Sequence, residues 1–260
     1  MALSTFFEEN FQDNFQKLGK RLDTYLANPE DEENVHDVRT SLRRLDTFYS
    51  LLPKKLRKRN RKPIEKYKEF FKANSKIRDL DIIRNEVAAL AKGEPNGPKL
   101  DLQLQSKRKT ELGHGVKLAK MLKKVSSIKV KGTPSDKIES RIDKKTDRFS
   151  IRIKEVLPAI LLDGTKKDEI HMLRKDCKKL RYIFEAVPDN DAKKYRKKIE
   201  SAILGKDLEE IQGKLGAIHD SDITIEYLQK KKSKFAKKLV VKESGVRDHL
   251  YQEFIKYMKE

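Results

Sequence analysis

Val35-His36-Asp37-Val38-Arg39-Thr40-Ser41-Leu42-Arg43-Arg44-Leu45 places Val35, Val38, Leu42 and Leu45 at steps of three and four, the spacing of one helix face. His36, Arg39, Thr40 and Arg43 fall together on a separate arc of the same helix. The pattern returns 135 residues later without a gap, as Ile170-His171-Met172-Leu173-Arg174-Lys175-Asp176-Cys177-Lys178-Lys179-Leu180. There the polar arc holds His171, Arg174, Lys175 and Lys178. A second landmark follows each copy: Lys76-Ile77-Arg78-Asp79-Leu80-Asp81-Ile82 aligns on Ala217-Ile218-His219-Asp220-Ser221-Asp222-Ile223 at an offset of 141 residues. Two landmarks in the same order mark a duplicated helical unit. The chain therefore reads as one domain over 1–260, with a first repeat at 1–130 and a second at 131–260.

Working outward, helical periodicity covers nearly everything else. Phe7, Phe11, Phe15, Leu18, Leu22 and Leu26 predict a helix over Leu3–Ala27 that Asn28-Pro29 ends. The first motif helix closes at Pro53, and Lys54–Lys62 reads as a very basic connector. Pro63 can start the next helix, Ile77–Lys92 continues the pattern, and Gly93-Glu94-Pro95-Asn96-Gly97-Pro98 breaks it. Leu100–Val125 is a basic helix in which Gly113 and Gly115 are candidate interruptions. Ser135 is a candidate N-cap for the helix through Ile138, Ile142, Phe149 and Ile153, which Asp163-Gly164 ends. Lys166–Val187, Ala192–Leu204, Asp207–Ala217, Asp220–Lys238 and Ser244–Lys259 complete the set. No stretch alternates with period two between hairpin turns, so the fold class is all-α.

The 260 residues carry 61 Lys and Arg against 41 Asp and Glu, a formal charge of +20, with 37% hydrophobic residues. That much positive charge selects polyanions as partners. The single Cys177 excludes an intramolecular disulfide, and its place opposite Leu42 in the repeat assigns it to the core. Glu8 and Glu9 stand where a secretion signal would carry positive charge. The longest apolar run, Val156–Leu162, is far short of the ~20 residues that span a bilayer. The expectation is a cytoplasmic protein with no membrane span.

A solvated cationic face would need positive charge somewhere, but not His and Arg at matching offsets in both copies, so the two stripes read as functional. The doubled His-x-x-Arg-x-x-x-Arg/Lys-Arg/Lys-Leu element, with Arg78-Asp79-Leu80-Asp81-Ile82 downstream, resembles the conserved histidine α-helical domain, or CHAD. The resemblance implies two similar four-helix bundles related by pseudo-symmetry. It also implies binding of inorganic polyphosphate through basic residues of the motif helices. The matching positions are His36, Arg39, Arg43, Arg44, Arg78, His171, Arg174, Lys178, Lys179 and Arg181. From the gapless repeat, the His36 and His171 helices are expected to face a shared basic channel or cleft. Four positions depart from the family pattern: Asn74-Ser75 replaces Leu-Gly, which Leu215-Gly216 keeps in the second copy; His219 stands where Asn is more usual; and Lys179 where Arg is common.

Such a stripe suits a linear polyphosphate, which repeats its charge and offers no base to stack on. Arginines give forked bonds to phosphate oxygens, and lysines act as movable point charges. His36 and His171 add donors when protonated. Phe11, Phe48, Phe70 and Phe184 fall at core positions rather than forming the stacking platforms of single-strand nucleic-acid binders. Non-specific RNA or DNA binding is the alternative, since counterion release rewards any basic surface. A phosphohydrolase built on His219-Asp220 with His36 and His171 is a weaker one, and no Walker-type glycine loop is present. Asp79, Asp81, Asp220 and Asp222 are expected to cap helices or orient arginines, and no cofactor or metal is expected.

Overall fold

The computed structural model describes residues 2–125, 128 and 130–260. Among them lie ten α-helices and no strand: α1 Leu3–Ala27, α2 Glu32–Leu51, α3 Lys54–Arg59, α4 Arg61–Leu90, α5 Gly97–Leu122, α6 Ser135–Leu162, α7 Lys167–Glu185, α8 Asp189–Glu200, α9 Leu208–Gln229 and α10 Lys234–Lys259, with a single 3-10 turn at Ser201–Ile203. The fold is all-α.

The apolar stripes become the cores. Phe7, Phe11, Leu18 and Leu22 of α1 are buried, as are Val35, Val38, Leu42, Leu45 and Phe48 of α2. Phe7 and Phe11 meet Phe48 at ring-centroid distances of 5.2 and 5.7 Å. Each such ring removed from water contributes about 1.5–3 kcal/mol. Asp31 starts α2 by accepting the Glu33 N–H at 2.9 Å. The same device starts α9, where Asp207 accepts from the Glu209 and Glu210 amides at 2.7 and 3.0 Å.

The chain divides into two compact units. The first comprises Met1–Arg78, Lys109–Arg148 and Arg181–Lys198. Its interior holds the aromatic cluster of α1 and α2, with Tyr25 set edge-on to Phe70 at 5.7 Å. The second comprises Asp79–Arg108, Phe149–Leu180 and Ile199–Glu260. Its interior includes Ile83, Val87, Leu104, Leu228 and Leu239, and Tyr251 Oη donates to the Ile160 carbonyl at 2.7 Å. Helices α4, α5, α6 and α7 each contribute a stretch to both units.

Several local expectations are corrected. Lys54–Lys62 is not a bare connector, because α3 occupies Lys54–Arg59 and is anchored where Tyr49 Oη donates to the Arg57 carbonyl at 3.0 Å. Helix α4 begins before Pro63 and runs unbroken through Asn74-Ser75. Gly113 and Gly115 do not interrupt α5. Ser135 is the first helical residue rather than the cap, and its Oγ accepts the Ser4 amide at 3.1 Å. The expected break at Ala217–Asp220 is absent, and the break falls instead after Gln229, where Ser233 caps α10 by accepting the Ala236 N–H at 3.0 Å. Gly93, at φ 78°, supplies the left-handed residue in the turn after α4.

Candidate functional site

In the first unit, α2 presents its polar arc with Arg39 and Arg43 leaning on one aromatic face. Their guanidinium carbons lie 5.5 and 5.7 Å from the centroid of Phe71, on α4. Arg39 is only 8% exposed. Such stacking holds a long side chain in one orientation. His36 lies exposed on the same arc, its Nε2 3.4 Å from Thr40 Oγ1. Partial burial pushes its imidazole below the ordinary value, and Arg78 and Arg43 push the same way against Glu33 and Asp37. Arg78 comes from α4 and is 3.7 Å from Glu32. His36, Arg39, Arg43 and Arg78 thus form one cationic neighbourhood.

Arg44 and Arg181, also in the first unit, form a separate pair. Their guanidiniums lie 5.8 and 5.1 Å from the centroid of Tyr182. Arg44 Nε donates to Glu185 Oε2 at 2.8 Å, and Arg181 Nε is 3.6 Å from Glu185 Oε1.

The second unit carries the other copy. The rings of His171 on α7 and His219 on α9 lie 4.6 Å apart at an angle of 33°. Burial is the main force on both, so His171 is pushed down to about 4 and His219 to about 3. Lys175 and Arg174 add to the effect at His171, where Asp168 and Asp222 oppose it. Arg174, His171, Lys178 and Lys175 add to it at His219. Both imidazoles are therefore neutral at pH 7. The buried Nδ1 of His171 has no hydrogen-bond partner among the described residues. Lys179 sits apart from this group, 5.6 Å over the ring of Phe149, which Arg152 shares at 5.5 Å. Arg152 is in turn fixed by a two-bond ion pair to the buried Asp176.

The expectation thus resolves into three groups, with Lys179 outside them. Phe71 and Tyr182 were missed as supports for arginines. The Phe70-Phe71 doublet carried a signal, because adjacent helical residues point about 100° apart, and Phe70 is the one fully buried. His219 was legible as the repeat counterpart of Arg78; its stacking on His171 was not. Phe11, Phe48, Phe70 and Phe184 are buried, as is Cys177, whose thiol burial pushes up to about 12. Among the described residues no group of three or more His, Cys, Asp or Glu could hold a metal ion. None of the described helices is long and apolar enough to cross a membrane.

The family model of the CHAD domain matches residues 10–229, and the chain belongs to the CHAD family. The crystal structure of the CHAD domain from the plant Ricinus communis is similar at a TM-score of 0.60, with 14% sequence identity, covering 97% of this chain and 86% of that one. At that identity the likeness is one of fold. No curated protein matches the chain in sequence.

Proposed function

We propose that the chain binds inorganic polyphosphate, without catalysis, through the basic stripes of α2 and α7. The observation that carries this reading is the bracing of Arg39 and Arg43 on Phe71 beside His36 and Arg78. Side chains already ordered lose less entropy when an anion docks. A forked guanidinium bonds phosphate oxygens in a way that a solvated lysine does not. Family membership and the net charge of +20 support the same reading. The neutral His171–His219 pair adds polar surface that becomes cationic when a phosphate nearby raises its proton affinity.

Competition between long-chain polyphosphate and a mixed-sequence oligonucleotide at several salt concentrations tests it. A preference for polyphosphate that persists as salt rises is the expected result. Equal affinities with equally steep salt dependence would instead make the chain a non-specific nucleic-acid binder.

A further inference from the structure

Among the basic residues of the motif helices, Arg44 and Arg181 are distinguished by what occupies the space between them. Glu185 reaches both guanidiniums from the last residue of α7, at 2.8 and 3.6 Å. Its backbone carbonyl accepts from Asn10 Nδ2 at 2.8 Å, which fixes the end of the helix and so the reach of the carboxylate. Tyr182 lies beneath both arginines, so the two cations share an aromatic floor and one anion. The carboxylate is 35% exposed, and water or a competing anion can reach it. Two forked cations over a ring with a carboxylate between them is the arrangement a bound phosphate would make, with Glu185 in the phosphate's position.

We propose that Glu185 is a built-in competitor for the Arg44–Arg181 subsite, restricting it to anions that present several linked phosphates. The inference rests on the polyphosphate reading above. An attached carboxylate acts at an effective concentration on the order of millimolar, which a single orthophosphate in dilute solution does not match. A chain already held at Arg39 and Arg43 delivers its next phosphates to Arg44 at a comparably high effective concentration, and displaces Glu185. Glu185 is a specificity-determining residue on this view, and its loss strengthens binding where the loss of a mere structural tether would weaken it.

The experiment compares the wild type with Glu185→Gln, which keeps length and shape, and with Glu155→Gln, which removes the same charge at an exposed position of α6. The probes are labelled tripolyphosphate, unlabelled orthophosphate as its competitor, and long-chain polyphosphate, with circular dichroism confirming the helical fold of each variant. Glu185→Gln is expected to tighten tripolyphosphate and to lower the orthophosphate needed for displacement by ~3-fold or more. Glu155→Gln should move either by less than ~1.5-fold at ordinary salt. Unchanged or weaker binding by Glu185→Gln, or an equal gain in both variants, overturns the inference. A further pair of variants separates its failure from that of the underlying reading. If Arg39→Ala and Arg174→Ala still weaken long-chain binding, only the role of Glu185 has failed. If they do not, the reading of the site has failed, and the inference with it.

Discussion

Arg247 Nε donates to Asp222 Oδ1 at 2.7 Å, with both side chains 8% exposed, and Arg108 holds Asp81 in a buried ion pair of the same kind. Asp81 and Asp222 are the equivalent acids of the two downstream landmarks, and each takes its arginine from the helix that follows, 27 and 25 residues on. These carboxylates serve the interior of the second unit. Arg247 also donates to the Gly164 carbonyl at 2.7 Å, so it closes the turn after α6 as well. Breaking such a pair leaves one charge inside the protein, with only the half-exposed Lys167 Nζ, 3.5 Å away, to face Asp222. Arg247→Ala should therefore cost about 3–5 kcal/mol of stability, and the double replacement Asp222→Leu with Arg247→Met much less. Urea unfolding measures both, and equal losses would contradict the stranded-charge account.

The same logic of ordered against solvated charge ranks the anion-binding residues. Arg39→Ala or Arg174→Ala should weaken polyphosphate binding by about 1.5–3 kcal/mol, the worth of a charge-assisted bond. Lys58→Ala and Lys232→Ala remove the same formal charge from exposed positions and act only through a field screened over about 8–10 Å. Affinities of the four variants in one buffer decide the matter. Equal losses would mean a diffuse effect of net charge.

The histidine pair should make both stability and binding depend on pH. His171 and His219 fall from an ordinary 6.5 to about 4 and about 3 in the folded chain and regain 6.5 on unfolding. Their neutral forms favour folding above pH 6.5, and that contribution is lost as pH falls below it towards 4. A bound polyanion has the opposite effect, raising both values, so affinity should rise as pH falls from 7 towards 5 with protons taken up on binding. Calorimetry at pH 6 in two buffers of different ionisation enthalpy measures that uptake. His219→Asn should reduce it.

Much of this site could be read from spacing alone, because the 3.6-residue period puts His36, Arg39 and Arg43 on one arc before any tertiary contact is known. What spacing could not supply is where each long side chain ends. Arg43 and Arg44 are neighbours in sequence, yet one lies on Phe71 and the other on Tyr182 beside Glu185. The helix boundaries failed for a related reason. A break between Ala217 and Asp220 suits a local reading, yet α9 passes straight through, and Asp222 within it is paired with Arg247 from far along the chain. The six-residue α3 has too much like charge to form alone and is held from outside by Tyr49.

Asn74 stands where the second copy of the repeat has Leu215, and the difference has a stability consequence. It is fully buried in the first unit, and neither its Oδ1 nor its Nδ2 has a hydrogen-bond partner among the described residues. An unsatisfied buried amide costs about 1–3 kcal/mol, whereas an apolar side chain of similar size contributes by its burial. Asn74→Leu, which gives the first copy the residue of the second, should raise the midpoint of thermal unfolding. A lower midpoint would show that the pocket is shaped for the amide.

Gly113 and Gly115 lie two residues apart in the unbroken helix α5, and their responses to the same substitution should differ in sign. Both are candidate interruptions in the sequence, since a glycine inside a helix costs about 1 kcal/mol relative to alanine. At Gly113 an added Cβ meets nothing within 4 Å, so Gly113→Ala should recover most of that cost and stabilise the protein by about 0.5–1 kcal/mol. At Gly115 the Cβ would stand 2.8 Å from Tyr25 Oη and 2.9 Å from Ile77 Cδ1. Both neighbours belong to the packed interior of the first unit, where Tyr25 is 0% exposed and wedged against Phe70. Overpacking of this kind costs about 1–3 kcal/mol, which exceeds the gain in helix propensity. Gly115→Ala should therefore destabilise the chain while Gly113→Ala stabilises it, as chemical denaturation of the two variants will register. If both stabilise, Tyr25 yields more easily than its packing implies, and Gly115 is not there to let α5 approach α1.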